Sequence, residues 1–389
     1  MPPKNPFVVC ARKSISKGHE RHNENCRMQC VATRRAVRRL VLVAITLMHL
    51  SHDMCARGCA LLCVAAMVWL PMSSLYAGDY SPNGNAALGP LMMSSLSAGN
   101  IFRPSGNISG PSYAPAGSCV LITSFSWVNI WNVEEDHFMV DGEWLRLVTR
   151  LSYMLTDNLE VGINAPFMGR TGGFADGFIE DFHKAFGFGT ADRDAYPRNR
   201  CVQDVTMPDG RHAHWDGDQW GLSDMSGFVS WTLTKGDMFL PCIVGGAVVS
   251  LPTGDEDELL GAGTPVFGIS CRLTKRISTT HLVLFFEASL SYSDNDETFG
   301  IETQKTQFDM LFGAEYEWSD RLSFIIQNLS ASPSAVDYYE FSDPTNELNV
   351  GFRIRDGFRG DWEISFQENL FRFNNSADVG LYVAYRQVL

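Results

Sequence analysis

Residues 306–318, TQFDMLFGAEYEW, separate into two sets when alternate positions are taken. Phe308, Met310, Phe312, Ala314, Tyr316 and Trp318 form one; Gln307, Asp309, Leu311, Gly313, Glu315 and Glu317 form the other. A period of two puts the sets on opposite faces of a β-strand. The pattern recurs at roughly 118–131, 139–155, 158–169, 221–234, 238–252, 264–275, 278–292, 304–318, 321–331, 346–355, 361–372 and 378–389. The chain is therefore predicted to be all-β, with about twelve strands.

The links alternate as well. Short ones occur at 156–158, 234–237, 274–278, 318–321 and 355–360, and longer ones at 132–138, 170–220, 253–263, 293–303, 332–345 and 373–377. Such asymmetry predicts an antiparallel up-and-down meander with different ends, as in outer-membrane barrels. Alternation alone also fits a soluble sandwich, which hides its apolar faces. The charges favour a closed membrane barrel, in which the lumen holds ionic side chains and lipid takes the apolar face. Candidate lumen residues are Glu143, Arg146, Arg150, Arg272, Glu287, Glu315, Glu317, Arg353, Arg355, Glu363 and Arg386. Unpaired, they would set ion selectivity; paired in ladders, they would close the barrel. Trp131, Trp144, Tyr153, Trp231, Tyr292, Trp318, Trp362 and Tyr385 near strand ends are candidate interface girdles.

Residues 1–77 differ in kind from the rest. They hold eleven Lys and Arg against three Asp and Glu, so that, of the net charge of −13, residues 78–389 carry about −21. Two apolar runs, LVLVAITLMHL (40–50) and CALLCVAAMVWLP (59–71), follow basic residues, as in an export signal with a cut after Ala77. Met28 and Met54 offer later starts for this leader. The acidic remainder argues against nucleic acid as a partner. Residues 78–117 are rich in Gly, Ser, Pro and Asn with only Asp79 and Arg103 charged, which suits a periplasmic lead-in or a plug in the lumen. Residues 118–389 form the barrel.

The longest loop contains DGFIEDFHKAFGF (176–188). Phe174, Phe178, Phe182 and Phe186 repeat every four residues, with Ile179 beside them and Asp176, Glu180, Asp181 and Lys184 elsewhere, predicting an amphipathic helix. It suits a helix packed on the rim, a lid over the pore, or an interfacial helix; His183, Arg193, Tyr196 and Arg198 complete the candidate lid. This loop with its Arg193, Tyr196, Pro197, Arg198 and Asn199, preceded by VDGEWLRL (140–147) and GPL (89–91), resembles a bacterial family of uncharacterised outer-membrane β-barrels, a domain of unknown function. The resemblance covers about residues 89–389 and implies a barrel fold and an outer-membrane location, without an activity.

Chemistry is sparse. No Gly-x-Ser-x-Gly elbow accompanies a serine, and His183 with Asp176 or Asp181 makes at best a weak acid–base pair. His212, His214, Asp216 and Asp218 alternate in a loop without a further anchor, and Asp255, Glu256, Asp257 and Glu258 form an acidic loop. No catalytic group, cofactor or metal is expected. The expected partners are outer-membrane lipid, the insertion machinery and an unidentified small solute. The expected function is passive passage of small solutes through a charged lumen; a closed structural or surface-interaction barrel is the alternative, and an outer-membrane hydrolase a more remote one.

Overall fold

The computed structural model describes residues 89–97, 100, 114–186, 193–277, 280–295, 297–298, 301–355, 360–369 and 375–389. The leader, residues 1–77, lies outside the described residues. Seventeen strands follow in chain order: β1 (Cys119–Glu134), β2 (Phe138–Thr156), β3 (Leu159–Thr171), β4 (Val202–Thr206), β5 (His212–Asp216), β6 (Gln219–Leu222), β7 (Ser226–Thr234), β8 (Cys242–Ser250), β9 (Val266–Arg276), β10 (Leu282–Ser293), β11 (Glu297–Thr298), β12 (Ile301–Glu302), β13 (Thr306–Glu317), β14 (Leu322–Ala331), β15 (Thr345–Arg355), β16 (Gly360–Glu368) and β17 (Val379–Val388). Among the described residues one α-helix, α1 (Asp176–Phe186), lies between β3 and β4, with single 3-10 turns at Arg193–Ala195 and Tyr339–Ser342.

Each of the twelve alternating segments contains one barrel strand. β1, β2, β3, β7, β8, β9, β10, β13, β14, β15, β16 and β17 pair antiparallel in that order, and β17 returns to β1, from Val120↔Val388 to Asn129↔Val379. The ring is closed, so the barrel strands leave no open edge along the chain's fold. The apolar sets point outward: Leu284, Phe286, Leu290, Phe308, Phe312, Ile326, Val350, Phe366 and Leu381 are all exposed. The polar sets point inward and are buried, among them Arg272, Glu287, Glu315, Arg353 and Glu363. Charge within and apolar surface without is the reverse of a soluble protein and defines a transmembrane β-barrel. Strands such as β10 and β13, 12 residues each, span a bilayer's hydrocarbon when tilted.

Four details depart from the sequence pattern. The first link tightens, because β1 and β2 run on past the apolar band to a turn at 135–137, with Asp136 at φ 66°. The long loop supplies strands of its own: β4 joins the extended part of β2 and pairs with β5, while β6 joins β3. Residues 238–241, expected to open a strand, belong instead to a turn before β8, where Asp237 accepts the Phe239 and Leu240 amides at 2.7 and 2.8 Å. Trp144 is no girdle residue; its register with Val128 turns it inward, where it is 1% exposed with the Arg170 guanidinium 5.9 Å from its ring.

Candidate functional site

The lumen is built from polar positions facing one another across the barrel. Arg353 on β15 reaches Glu315 on β13 at 2.6 Å and Glu363 on β16 at 2.9 Å. The register Arg353↔Glu363 sets the second contact, and the length of arginine spans β14 for the first. Arg272 lies across from Glu287 on β10 and bonds it at 2.5 and 2.8 Å. Near the short-turn end Arg276 and Arg355 both reach Glu317, the second at 3.5 Å. Arg150 is 3.6 Å from Glu160 and its guanidinium stacks 3.6 Å over the Phe228 ring. Arg386 faces inward in register with Asp361, and Arg146 bonds the Ser94 hydroxyl.

Glu143, grouped with these in the sequence, does not line the lumen. It pairs in register with Asn129, while Arg146 pairs with Ser126, and an odd separation along one strand puts two side chains on opposite faces. Glu143 faces out and is buried there by the long loop.

Residues 89–97 touch several walls of the lumen at once. Arg353 donates to the Gly89 carbonyl at 2.9 Å, the Leu91 amide donates to Gln327 at 2.9 Å, and Ser95 Oγ donates to Glu347 at 2.8 Å. Leu91 and Met93 pack with Phe285, Leu311, Ile325, Leu329, Tyr382 and Ala384, inward residues of β10, β13, β14 and β17. Leu96 joins a second cluster at the long-loop end with Ile130, Trp144, Val205, Leu259, Tyr338 and Phe341. Ala114 is back at the opposite end beside Val120, Met154 and Val388. A cavity between Leu91, Met93, Arg272, Glu287 and Asp309 holds about 20 Å³, room for a water molecule and no larger solute.

The mouth at the long-loop end is also covered. Leu259 and Leu260 of the acidic loop are buried, with Arg170 donating to the Glu258 carbonyl and Trp215 to the Asp257 carbonyl at 2.7 Å. Tyr338 and Phe341 close over Phe138 from the loop before β15, and the Tyr338 hydroxyl, 2.7 Å from the Thr206 carbonyl, is pushed up to about 12 by burial.

Among the described residues, none of α1 belongs to this mouth cluster. Its Ala175 and Ile179 flank pack on Val379 and Trp127, which face outward beside the β17–β1 contact. Of the lid residues expected from the sequence, the described Asp176 and Arg193 meet the outward-facing Asn129 instead of the lumen. The start of α1 is held there. Glu143 accepts the Phe174 and Ala175 amides at 2.7 Å each, and the Trp127 indole at 2.7 Å. Asp176 accepts from Asn129 at 3.2 Å and from the Asn199 amide at 2.7 Å. Arg193 joins Asn129 at 2.7 Å to Asp378 at 3.0 Å, 5.3 Å from the Trp131 ring, and Tyr196 meets the same ring edge-on at 5.1 Å. Arg198 grips Glu180 through two bonds, 2.9 and 2.7 Å, which hold its carboxyl below the usual carboxylate range. The loop thereby ties β1, β2 and β17 together across the line where first and last strands meet. Phe174 and Phe178 are 79% and 66% exposed. The side chains of Phe182, His183 and Phe186 lie outside the described residues.

Several site residues escaped the sequence reading. Gln327, Glu347 and Glu160 stand at ordinary polar positions of alternating strands, and Asn129 is a polar residue on an outward, otherwise apolar face. That last break in alternation is a legible signal of something packed outside. His212 and His214 both contact Asp204, at 2.5 and 3.1 Å, and among the described residues no group of three or more His, Cys, Asp or Glu is arranged to hold a metal ion.

Fold and lumen together define a transmembrane β-barrel with residues 89–97 inside it. The chain belongs to the family of proteins of unknown function DUF3187, whose model matches residues 71–388. Among solved structures, an outer membrane channel from Pseudomonas putida F1 aligns with 73% of this chain and 100% of its own, at 12% identity and a TM-score of 0.50. The NanC porin aligns with 70% of this chain and 100% of its own at 7% identity and TM-score 0.40, and the toluene transporter TodX of Pseudomonas putida with 73% and 94% at 12% and 0.37. A search of curated proteins finds no match.

Proposed function

We propose that the protein is a bacterial outer-membrane channel for small solutes, closed in the state described by residues 89–97 of its own chain acting as a plug. The short-turn end then faces the periplasm and the long-loop end the outside. The observation that carries this reading is the mode of attachment. Gly89, Leu91 and Ser95 each make a polar bond to the wall, without strand pairing, so the segment can leave the lumen without breaking the barrel's ladders. Beneath it the wall is water-compatible, with Gln307, Asp309, Gln327, Asn349 and Gln367 all inward and buried. The likeness to an outer membrane channel supports the same reading.

The test is planar-bilayer conductance of the whole exported chain against a variant lacking 89–100, both shown to run faster unboiled than boiled on a gel. Steady current steps that appear or grow on deletion support a plugged channel. Silence from both barrels replaces it with a closed structural or surface-interaction barrel, which the Glu315–Arg353–Glu363 bridge, 0–3% exposed, favours.

A further inference from the structure

We propose that α1 anchors the barrel in the outer leaflet, with Phe174 and Phe178 seated among the acyl chains of outer-leaflet lipid beside the β17–β1–β2 contact; this rests on the outer-membrane reading above. The argument begins from an inversion. In water an amphipathic helix buries its aromatics and exposes its carboxylates. At the start of α1 two carboxylates, Asp176 and Glu180, are 3% and 2% exposed, while Phe178 and Phe174 just before the helix are largely exposed, with Asp181 and Lys184 exposed further along. Apolar side chains turned outward beside buried carboxylates are stable where the surroundings are themselves apolar, as for interfacial helices.

The position agrees. Trp127 is in register with Leu381, and Leu381 with Phe366, and both of the latter are exposed members of the lipid-facing band. The Phe174 ring stacks on Trp127, centroids 6.1 Å apart and planes 15° from parallel. Two paired positions further toward the loops, at Asn129↔Val379, Val379 is buried with Ala175 and Ile179. Phe174 therefore continues the band from Trp127, and Phe178, four residues on and one helical turn away, is exposed on the same flank.

The experiment is photo-crosslinking in native outer membranes, with p-benzoylphenylalanine replacing Phe178, Phe366 or Asp209. Phe366 reports the lipid-facing wall, and Asp209, in the β4–β5 turn and half exposed, reports water. Replacing one exposed aromatic by another leaves the fold intact, and heat-modifiable mobility verifies it. A lipid-staining adduct at 178 of a yield comparable to that at 366, absent at 209, is expected. Lipid adducts at 366 with none at 178, or an adduct at 178 that is protein only, overturns the anchor while leaving the barrel in the membrane. No lipid adduct at either 178 or 366 overturns the outer-membrane reading and the anchor with it.

Discussion

Arg353 Nη1 lies 2.6 Å from Glu315 Oε2, and neither side chain is more than 1% exposed. The same guanidinium carries Glu363 and the Gly89 carbonyl, so one residue joins three strands' worth of wall to the lumen segment. Replacing Arg353 with Met leaves two buried carboxylates without their cation, a loss of about 3–5 kcal/mol for a broken buried pair. The expected result is a lower urea midpoint for loss of heat-modifiable mobility. Adding Glu315→Gln and Glu363→Gln should recover most of it, since the uncompensated charge is the cause.

Release of residues 89–97 should be graded. Ser95→Ala and Gln327→Ala each remove one hydrogen bond, worth about 1 kcal/mol. Together they should make current steps more frequent by about thirtyfold, which corresponds to about 2 kcal/mol in the plug's equilibrium. Single-channel recording of both variants beside the 89–100 deletion checks this; a double variant as silent as the parent, with the deletion conducting, means that apolar packing of Leu91, Met93 and Leu96 holds the segment.

Gly173 is the tightest point of the outer loop. Its φ of +64° disfavours any side chain, and a Cβ there would fall 1.8 Å from the Glu143 carboxyl carbon. Gly173→Ala is expected to push Glu143 away from the Phe174 and Ala175 amides, and Glu143→Gln to weaken the same bonds by about 1–3 kcal/mol. Limited proteolysis within 172–200 should quicken in both variants while the barrel bands stay heat-modifiable.

Acid should loosen the same loop. Arg198 hydrogen bonds hold the Glu180 carboxyl below its ordinary 4.5. A depressed carboxylate contributes stability that is fully present above the ordinary value and lost as pH falls through the lowered one. Protease sensitivity of 172–200 should therefore rise below about pH 4.5 in the parent. Arg198→Ala should be sensitive already at neutral pH, with a flatter acid response.

How much of this was legible follows from which interactions are local. Phe308 to Trp318 and Gln307 to Glu317 declare their faces by spacing alone, because strand geometry leaves no other arrangement. Arg353, Glu315 and Glu363 were visible as lumen residues, but their pairing needed the register of β13 to β16. Glu143 was misplaced because its charge outweighed its parity: a carboxylate on the outward face makes sense only once Gly173 to Ala175 are seen to end on it.

Spacing along the chain is enough for the twelve barrel strands, for most of their inward and outward residues and for a helix in the longest loop, since periodicity is a property of neighbours along the chain. That residues 89–97 run inside the barrel emerges only with the tertiary structure, because this Ser-, Leu- and Met-rich stretch has no strand or helix period and takes its conformation from the walls it touches. The tertiary structure also decided which side of α1 is buried. Amphipathicity predicts orientation against water, whereas here Asn129, Glu143 and Arg198 hold Asp176, the start of the helix and Glu180 and leave Phe174 and Phe178 exposed.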